Sequence, residues 1–563
     1  MAGFGLVTLC MAHVLFGYAV LVLLFESALL DKLHKFTLKS YATRYGQPTE
    51  AAEKVLEHAL RLVTPAGAAL ACLGLPVALD RLGRRSTTMV LGSVCTAVAA
   101  LLHGLAYLQG SFVSLLLGRA LAGVSLVLGP VALPLFVSEC APVRVRGLAT
   151  AGTAAAGQVL WLLVSKVVSH TELLGTEEHW WQLALLPAGP AVVHLLLSTL
   201  VPRSPRHLVA RQRRMEEADA ALKFYHGIGI DADAVYDDIN GDMLMAPSRG
   251  FTASCLDIWR VVRMRRGLLV CLVAQLAACA NLSYMQTEWR IFSELGFSRV
   301  LSVDTCQVLH AASLCGSLLV VLLLLETIGR RGLLVLAVLV ALAAHACLVV
   351  GSWLQMDDAL GTVGPLLRLC GVLLVSASDA LGLLVLPTLL VTELCPHASR
   401  AKVLALSTLL YQIDVAVGQD FLYPLLLEKL DAFAYAISFG VELFCLIFLL
   451  MRLPETRNKT VFTLVRSLAP NTTVNGLPAE LDERALLSTQ SFDMEHLSLS
   501  NNEEVSRMTH DEESMFQGLK EKGRRKKKSK YGSVNRPQPQ AWVGGTTDEE
   551  EYDSSYSRFI KMQ

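Results

Sequence analysis

Apolar residues in this chain come in runs of about twenty, the number a helix needs to cross roughly 30 Å of bilayer hydrocarbon. The runs cover residues 4–30, 62–79, 89–108, 118–147 and 147–168, and a sixth ends at 200. Six more lie at 267–287, 308–325, 333–354, 363–391, 403–424 and 432–452. Short charged stretches separate them. The pattern predicts an all-α polytopic membrane protein with about twelve spans. The polar stretch 31–61 reads as a loop, and Trp180 and Trp181 as an interfacial belt ahead of the sixth span.

The charged exits repeat. Asp80-Arg-Leu-Gly83-Arg84-Arg85 answers Glu326-Thr-Ile-Gly329-Arg330-Arg331. Glu139, Pro142 and Arg146 share the spacing of Glu393, Pro396 and Arg400, and Pro202-Arg-Ser-Pro205-Arg206 answers Pro454-Glu455-Thr456-Arg457. Three markers in one order at one period indicate two copies of a membrane unit. Within the fourth run Arg119 stands among apolar residues. A charge there is costly unless it is paired or faces protein.

Composition agrees with this reading. Hydrophobic residues make up 53% of the chain and charged residues 17%, too apolar for an ordinary soluble protein of 563 residues. The 13 cysteines show no paired spacing for zinc or a disulfide framework. No phosphate loop, metal spacing or activated nucleophile appears, so neither an enzyme nor a cofactor is expected. No cleavable signal is expected either, because the first run is long enough to span and lacks a basic start.

The organisation follows: a first six-helix bundle over 1–201, a linker with short helices over 202–266, a second bundle over 267–460, and a tail over 461–563. The excess of arginine in the linker and at the charged exits assigns them, and both termini, to the cytoplasm. The tail composition reads as disordered. It carries a basic cluster at 522–530, an acidic dileucine pattern at 482–487 and a tyrosine-based one at 531–534. These are candidate contacts for anionic headgroups and for sorting adaptors. Nothing suggests a nucleic-acid partner.

Taken in order, these motifs resemble the sugar porter family of the major facilitator superfamily, which includes the facilitative glucose transporters. The similarity runs from about Phe16 to Thr460. It rests on the Asp80–Arg85 and Gly329-Arg330-Arg331 motifs, Gly118-Arg119 with Gly123, and Pro134-x-Phe136 with Glu139, Pro142, Arg146 and Gly147. It continues with Pro202-x-Ser204-Pro205-Arg206, Pro387 with Glu393 and Arg400, and Pro454-Glu455-Thr456. The implied fold is two six-helix bundles around a central cavity that opens alternately to either face. The implied partners are a sugar and the bilayer, and the implied location is the plasma membrane or an endosomal one.

Charges at the helix ends then read as latches. Asp80, Arg84, Arg119, Glu139, Arg146, Glu326, Arg330, Glu393 and Arg400 form the candidate gating set. Surface pairs contribute only about 0–1 kcal/mol each, so several would bias the equilibrium without locking it. The same charges also fit plain topology signals.

At the substrate site the resemblance thins. On the seventh span the family has a Gln pair followed by Gly and Asn; here Gln275 and Asn281 remain while the second Gln and the Gly are replaced. On the fifth span the family's Gln position falls on Ala154, with Gln158 one turn further. The tenth span keeps Gly382 and Pro387 but has Thr388 where the Trp would stand, and Asp379 lies near the family's acid. Tyr411, Gln412 and Asp414 replace asparagines of the eleventh. Gln158, Gln275, Asn281, Asp379, Thr388 and Tyr411 are therefore the candidate substrate contacts.

Three acids in apolar surroundings, Glu26, Asp379 and Asp414, fit either a coupling site or helix-end solvation, and Asp379 also fits a pair with Arg368. Gln275 and Asn281, six residues apart, meet one ligand only if the helix breaks near Ala280; otherwise one of them is polar glue between helices. Ala19 stands where proton-coupled sugar porters carry Asp, which favours passive movement. The expected function is facilitative transport of a hexose or related sugar by alternating access. The alternatives are a carrier for a non-sugar or charged solute, with or without proton coupling, and a nutrient sensor signalling through the tail.

Overall fold

The computed structural model describes residues 4–24, 30–153, 179–209, 214–227, 232–244, 255–282, 323–354, 363–430, 433–457 and 459–468, with isolated residues between 309 and 321. All fall within one compact unit, residues 1–472. Gln158 and Glu26, Ala154, and both tail sorting patterns lie outside the described residues. Among the described residues helix dominates and no strand occurs.

The first half contains α1 (Phe4–Leu24), α2 (Leu30–Tyr45), α3 (Glu50–Arg81), α4 (Ser86–Gln109), α5 (Phe112–Cys140) and α6 (Trp180–Leu197). The linker carries α7 (Met215–His226), α8 (Ala232–Leu244) and α9 (Cys255–Arg260). The second half contains α10 (Val262–Leu282), α11 (Arg330–Leu354), α12 (Val363–Leu394), α13 (His397–Leu430) and α14 (Phe433–Arg452), followed by α15 (Val461–Ser467). Among the described residues eight helices are long and apolar enough to cross a membrane.

Two expectations change. The stretch 31–61 is not a loop. It forms α2 and the first turns of α3, which starts where the Thr49 hydroxyl accepts from the Ala52 amide and Glu50 and Glu53 favour the positive end of the helix. Trp180, read as facing the interface, is instead covered by protein, edge-on to Phe36 at 5.3 Å and to Tyr107 at 6.1 Å.

Several helices contain wide turns in which an amide bonds the carbonyl five residues back. In α5 Pro130 supplies no amide, and Ala132 N bonds Val127 O at 3.1 Å. In α12 the turn spans Asp379–Leu383, with Leu384 N on Asp379 O at 3.2 Å, and the helix kinks at Gly382. The tenth span thus departs from regular helix from Asp379, ahead of Gly382 and Pro387. By contrast α10 is continuous through Ala280. Small residues let α3 and α5 meet backbone to backbone, since a Cβ on Gly67 or Gly123 would strike the carbonyl of Ala120 or Thr64.

Candidate functional site

The repeated motif builds the same local device twice. After α3 the chain turns through Gly83 (φ 84°), and ahead of α11 through Gly329 (φ 87°), a left-handed conformation that glycine adopts without strain. Each turn sends the next arginine back over its own helix end. Arg84 Nη1 donates to Leu79 O at 2.9 Å, and Arg330 Nη1 donates to Leu325 O at 3.3 Å. Each arginine also lies beside the motif's acid, Asp80 at 3.7 Å and Glu326 at 3.1 Å.

Both then reach the glutamate at the end of another helix. Arg84 Nε donates to Glu139 Oε1 at 3.1 Å, and Arg330 Nε lies 3.5 Å from Glu393 Oε1. A hydroxyl from the third motif completes each site: Ser204 Oγ donates to Glu139 at 2.8 Å, and Thr456 Oγ1 donates to Glu393 at 2.5 Å. Glu455 accepts from the backbone amides of Arg330, Arg331 and Arg457, fixing the second turn. Three motifs distant in sequence therefore close on one carboxylate in each repeat.

The two devices are joined across the halves. Arg400 Nη1 lies 3.7 Å from Glu139 Oε1, and the His397 ring stands between Glu139 (Nδ1, 3.3 Å) and Arg84 (Nε2, 3.4 Å). In the reverse direction, Arg146 is within electrostatic reach of Glu393, and Gly147 lies so close to the Arg330 guanidinium that a Cβ would displace it. The linker helix α8 adds a bridge. Asp242 accepts from Arg206 Nη1 (3.2 Å), from the His397 backbone amide (3.0 Å) at the N-terminus of α13, and from Arg400 Nη2 (3.5 Å). Asp238 pairs with Arg206 on the same side.

This cluster is buried. The side chains of Arg84, Glu139, Arg400 and Asp242 are no more than 2% exposed, so the expectation of weak surface pairs does not apply. Removing one partner of a buried pair costs about 3–5 kcal/mol, because the other charge is left uncompensated. Burial, with Arg206 nearby, lowers the Arg146 pKa to about 10 despite Asp238. Burial also opposes the charge on Arg206, but Asp238 and Asp242 more than offset it and raise its pKa.

Arg119 is not part of this cluster. Its Nε donates to Leu60 O on α3 at 3.0 Å, and twenty residues of α5 place it about 30 Å from Glu139. There it ties α5 to α3.

The candidate substrate residues that are described lie on α10, α12 and α13. Asn281 is fully buried, and its Nδ2 donates to Asp379 Oδ1 (2.5 Å), Ser378 Oγ (3.0 Å) and Val375 O (3.3 Å). Because α10 is regular there, Asn281 clamps α10 to the kink of α12. Asp379 is correspondingly held by Asn281; eleven residues of helix separate it from Arg368 by about 16 Å, too far for a direct pair. Gln275 is half-buried on α10, one turn from Cys279. Tyr411 is within electrostatic reach of Cys279, Asp379 and Asp414, and Gln419 Nε2 donates to Asp414 at 3.2 Å. Thr388 is half-buried beyond the kink. Among the described residues the buried atoms Asn281 Oδ1 and Gln412 Nε2 have no hydrogen-bond partner.

Comparison with known proteins resolves the family. The family model "Sugar (and other) transporter" matches residues 6–467. The chain belongs to the sugar transporter family. This transporter is 26% identical over 479 residues to the facilitated glucose transporter member 5 of Bos taurus, covering 83% of the chain and 92% of that protein. It is also 26% identical over 484 residues to the human member 11, covering 82% and 92%. Its fold is similar to that of the major facilitator superfamily proton:xylose symporter XylE of E. coli, with a TM-score of 0.68, 19% identity, and coverage of 82% of this chain and 98% of that one. The protein is thus an integral membrane transporter of the major facilitator fold and not an enzyme.

Several residues of the cluster carried little signal in the sequence. His397 has no counterpart in the first repeat, where Val143 occupies the position. Asp238 and Asp242 are two acids among many in a polar linker. His345 and Glu442 form a second buried pair (3.1 Å) between α11 and α14, and Glu442 could have been found as an acid inside an apolar run.

Proposed function

We propose that this transporter moves a hexose or related polyol passively by alternating access, and that the Glu139 cluster is the gate on one face. The observation that carries the proposal is the convergence of Arg400 and His397 from the second repeat on Glu139 of the first. Such contacts have to part whenever the halves separate on that side. The arginine excess supports a cytoplasmic position for that face and for both termini, and a plasma-membrane location fits.

The substrate class rests on the polar groups between α10, α12 and α13. A hydroxyl both donates and accepts, so it satisfies groups such as Gln275, the open Asn281 oxygen and the open Gln412 amide. The relatives agree: two are facilitated glucose transporters, and a structural neighbour is a proton:xylose symporter. Ala19 favours passive movement. Asp414, half-buried beside Gln419, favours the second reading, a proton-coupled carrier.

Uptake of radiolabelled hexoses into proteoliposomes, with and without a proton gradient, tests both. Saturable uptake that ignores the gradient supports the first reading. Dependence on the gradient supports the second, and no uptake of any hexose sinks both.

A further inference from the structure

At the end of the bundle that carries the charged cluster, a cavity of about 590 Å³ opens between the start of α10, the start of α11, the end of α14 and α15. Four arginines line it: Arg265, Arg266, Arg331 and Arg452. Among the described residues no carboxylate does. The neighbouring acid, Glu455, is engaged by three backbone amides. Two of the arginines are anchored, Arg266 Nη1 on Leu468 O (2.5 Å) and Arg331 Nη2 on Leu450 O (2.8 Å), and each has further N–H groups beyond that bond. Four like charges around one hollow repel one another, and an anion relieves that cost.

The other wall is apolar, formed by Leu269, Phe448 and Met451. From Met451 an exposed apolar strip continues along α14 through Ile447 and Phe444, which are 70%, 50% and 56% exposed in that order. The strip runs along a helix long and apolar enough to span a membrane, so it faces acyl chains. Trp259 sits at the same level, 55% exposed, with the Arg265 guanidinium 5.8 Å from its ring, as expected at a membrane interface. A ligand matching both walls has a phosphate head and a hydrocarbon body.

We infer that this cavity holds the headgroup of an anionic phospholipid, with the phosphate among the four arginines and an acyl chain along Met451, Ile447 and Phe444. A soluble anion would use the arginines but gain nothing from the strip. A zwitterionic lipid would use the strip but bring a cation to the arginines.

The test uses the full-length protein in detergent micelles, titrated with phosphatidylglycerol, phosphatidylcholine or inorganic phosphate, with bound lipid counted by native mass spectrometry. R265Q/R452Q removes two charges that anchor no backbone carbonyl in the contacts above, and R265K/R452K keeps the charge. The basic tail cluster at 522–530 is present in every protein and gives them a common background.

The wild type should retain one phosphatidylglycerol in preference to phosphatidylcholine, and phosphate should not displace it. In R265Q/R452Q that binding should weaken about thirtyfold, from two interfacial charges, while R265K/R452K keeps most of it. Equal retention in R265Q/R452Q with an unchanged melting temperature would overturn the proposal. So would equal affinity for phosphatidylcholine, or displacement by phosphate, which would make this a soluble-anion site.

Discussion

Arg400 and Glu139 belong to different repeats, yet their side chains lie 3.7 Å apart with almost no exposure to solvent. Each is also held within its own half, Arg400 by the Cys395 carbonyl and Glu139 by Arg84 and Ser204. The contact between the halves can therefore break while each half keeps its own bonds.

That arrangement predicts strong coupling. In a double-mutant cycle of Glu139→Gln and Arg400→Gln, the two single changes should cost more in sum than the double change, by about 1–3 kcal/mol. Thermal unfolding of the purified proteins provides the measurement. Additive costs would show that the two residues do not interact.

A second prediction concerns the clamp at the α12 kink. Asn281→Ala removes the donor that holds the buried Asp379 carboxylate and should cost about 1–3 kcal/mol. A lowered melting temperature is expected. Because Gln275 is not part of this clamp, Gln275→Ala should leave the melting temperature unchanged.

Gln275→Ala should instead act on the substrate. Losing one hydrogen bond to a hydroxyl corresponds to about a tenfold rise in KM for hexose uptake, with little change in the maximal rate. An unaltered KM would remove Gln275 from the site.

The buried pair His345–Glu442 fastens α11 to α14. Glu442→Leu alone leaves the buried His345 ring without that partner and should destabilise by about 1–3 kcal/mol, while the double change His345→Leu with Glu442→Leu should recover much of that loss. A double variant as unstable as the single one would mean that the pair is not a closed unit.

The sequence was most legible where geometry repeats. Gly83 and Gly329, their arginines, and Glu139 with Glu393 stood at nearly one period, and the structure gives the two sets matching contacts. The burial of these charges was not legible, because it depends on how the halves and α8 pack around them; hence they read as surface pairs. Arg119 misled for a related reason: a charge within an apolar run announces a partner but not at which end of the helix it lies. Asn281 was ambiguous until the continuity of α10 was known. The helical character of 31–61 was written in the Thr49 cap and the acids after it, but its polarity suggested a loop.

In the proposed mechanism the Glu139 cluster holds one face shut. Spin labels at Leu82 and Ile328, equivalent exposed positions in the two repeats beside the cluster, report the separation of the halves by double electron–electron resonance. The labels go into a background whose native cysteines have been replaced. Introducing Glu139→Gln should shift the distance distribution toward longer values without changing the melting temperature of each labelled protein enough to unfold it. An identical distribution in the folded Glu139→Gln protein would contradict the account.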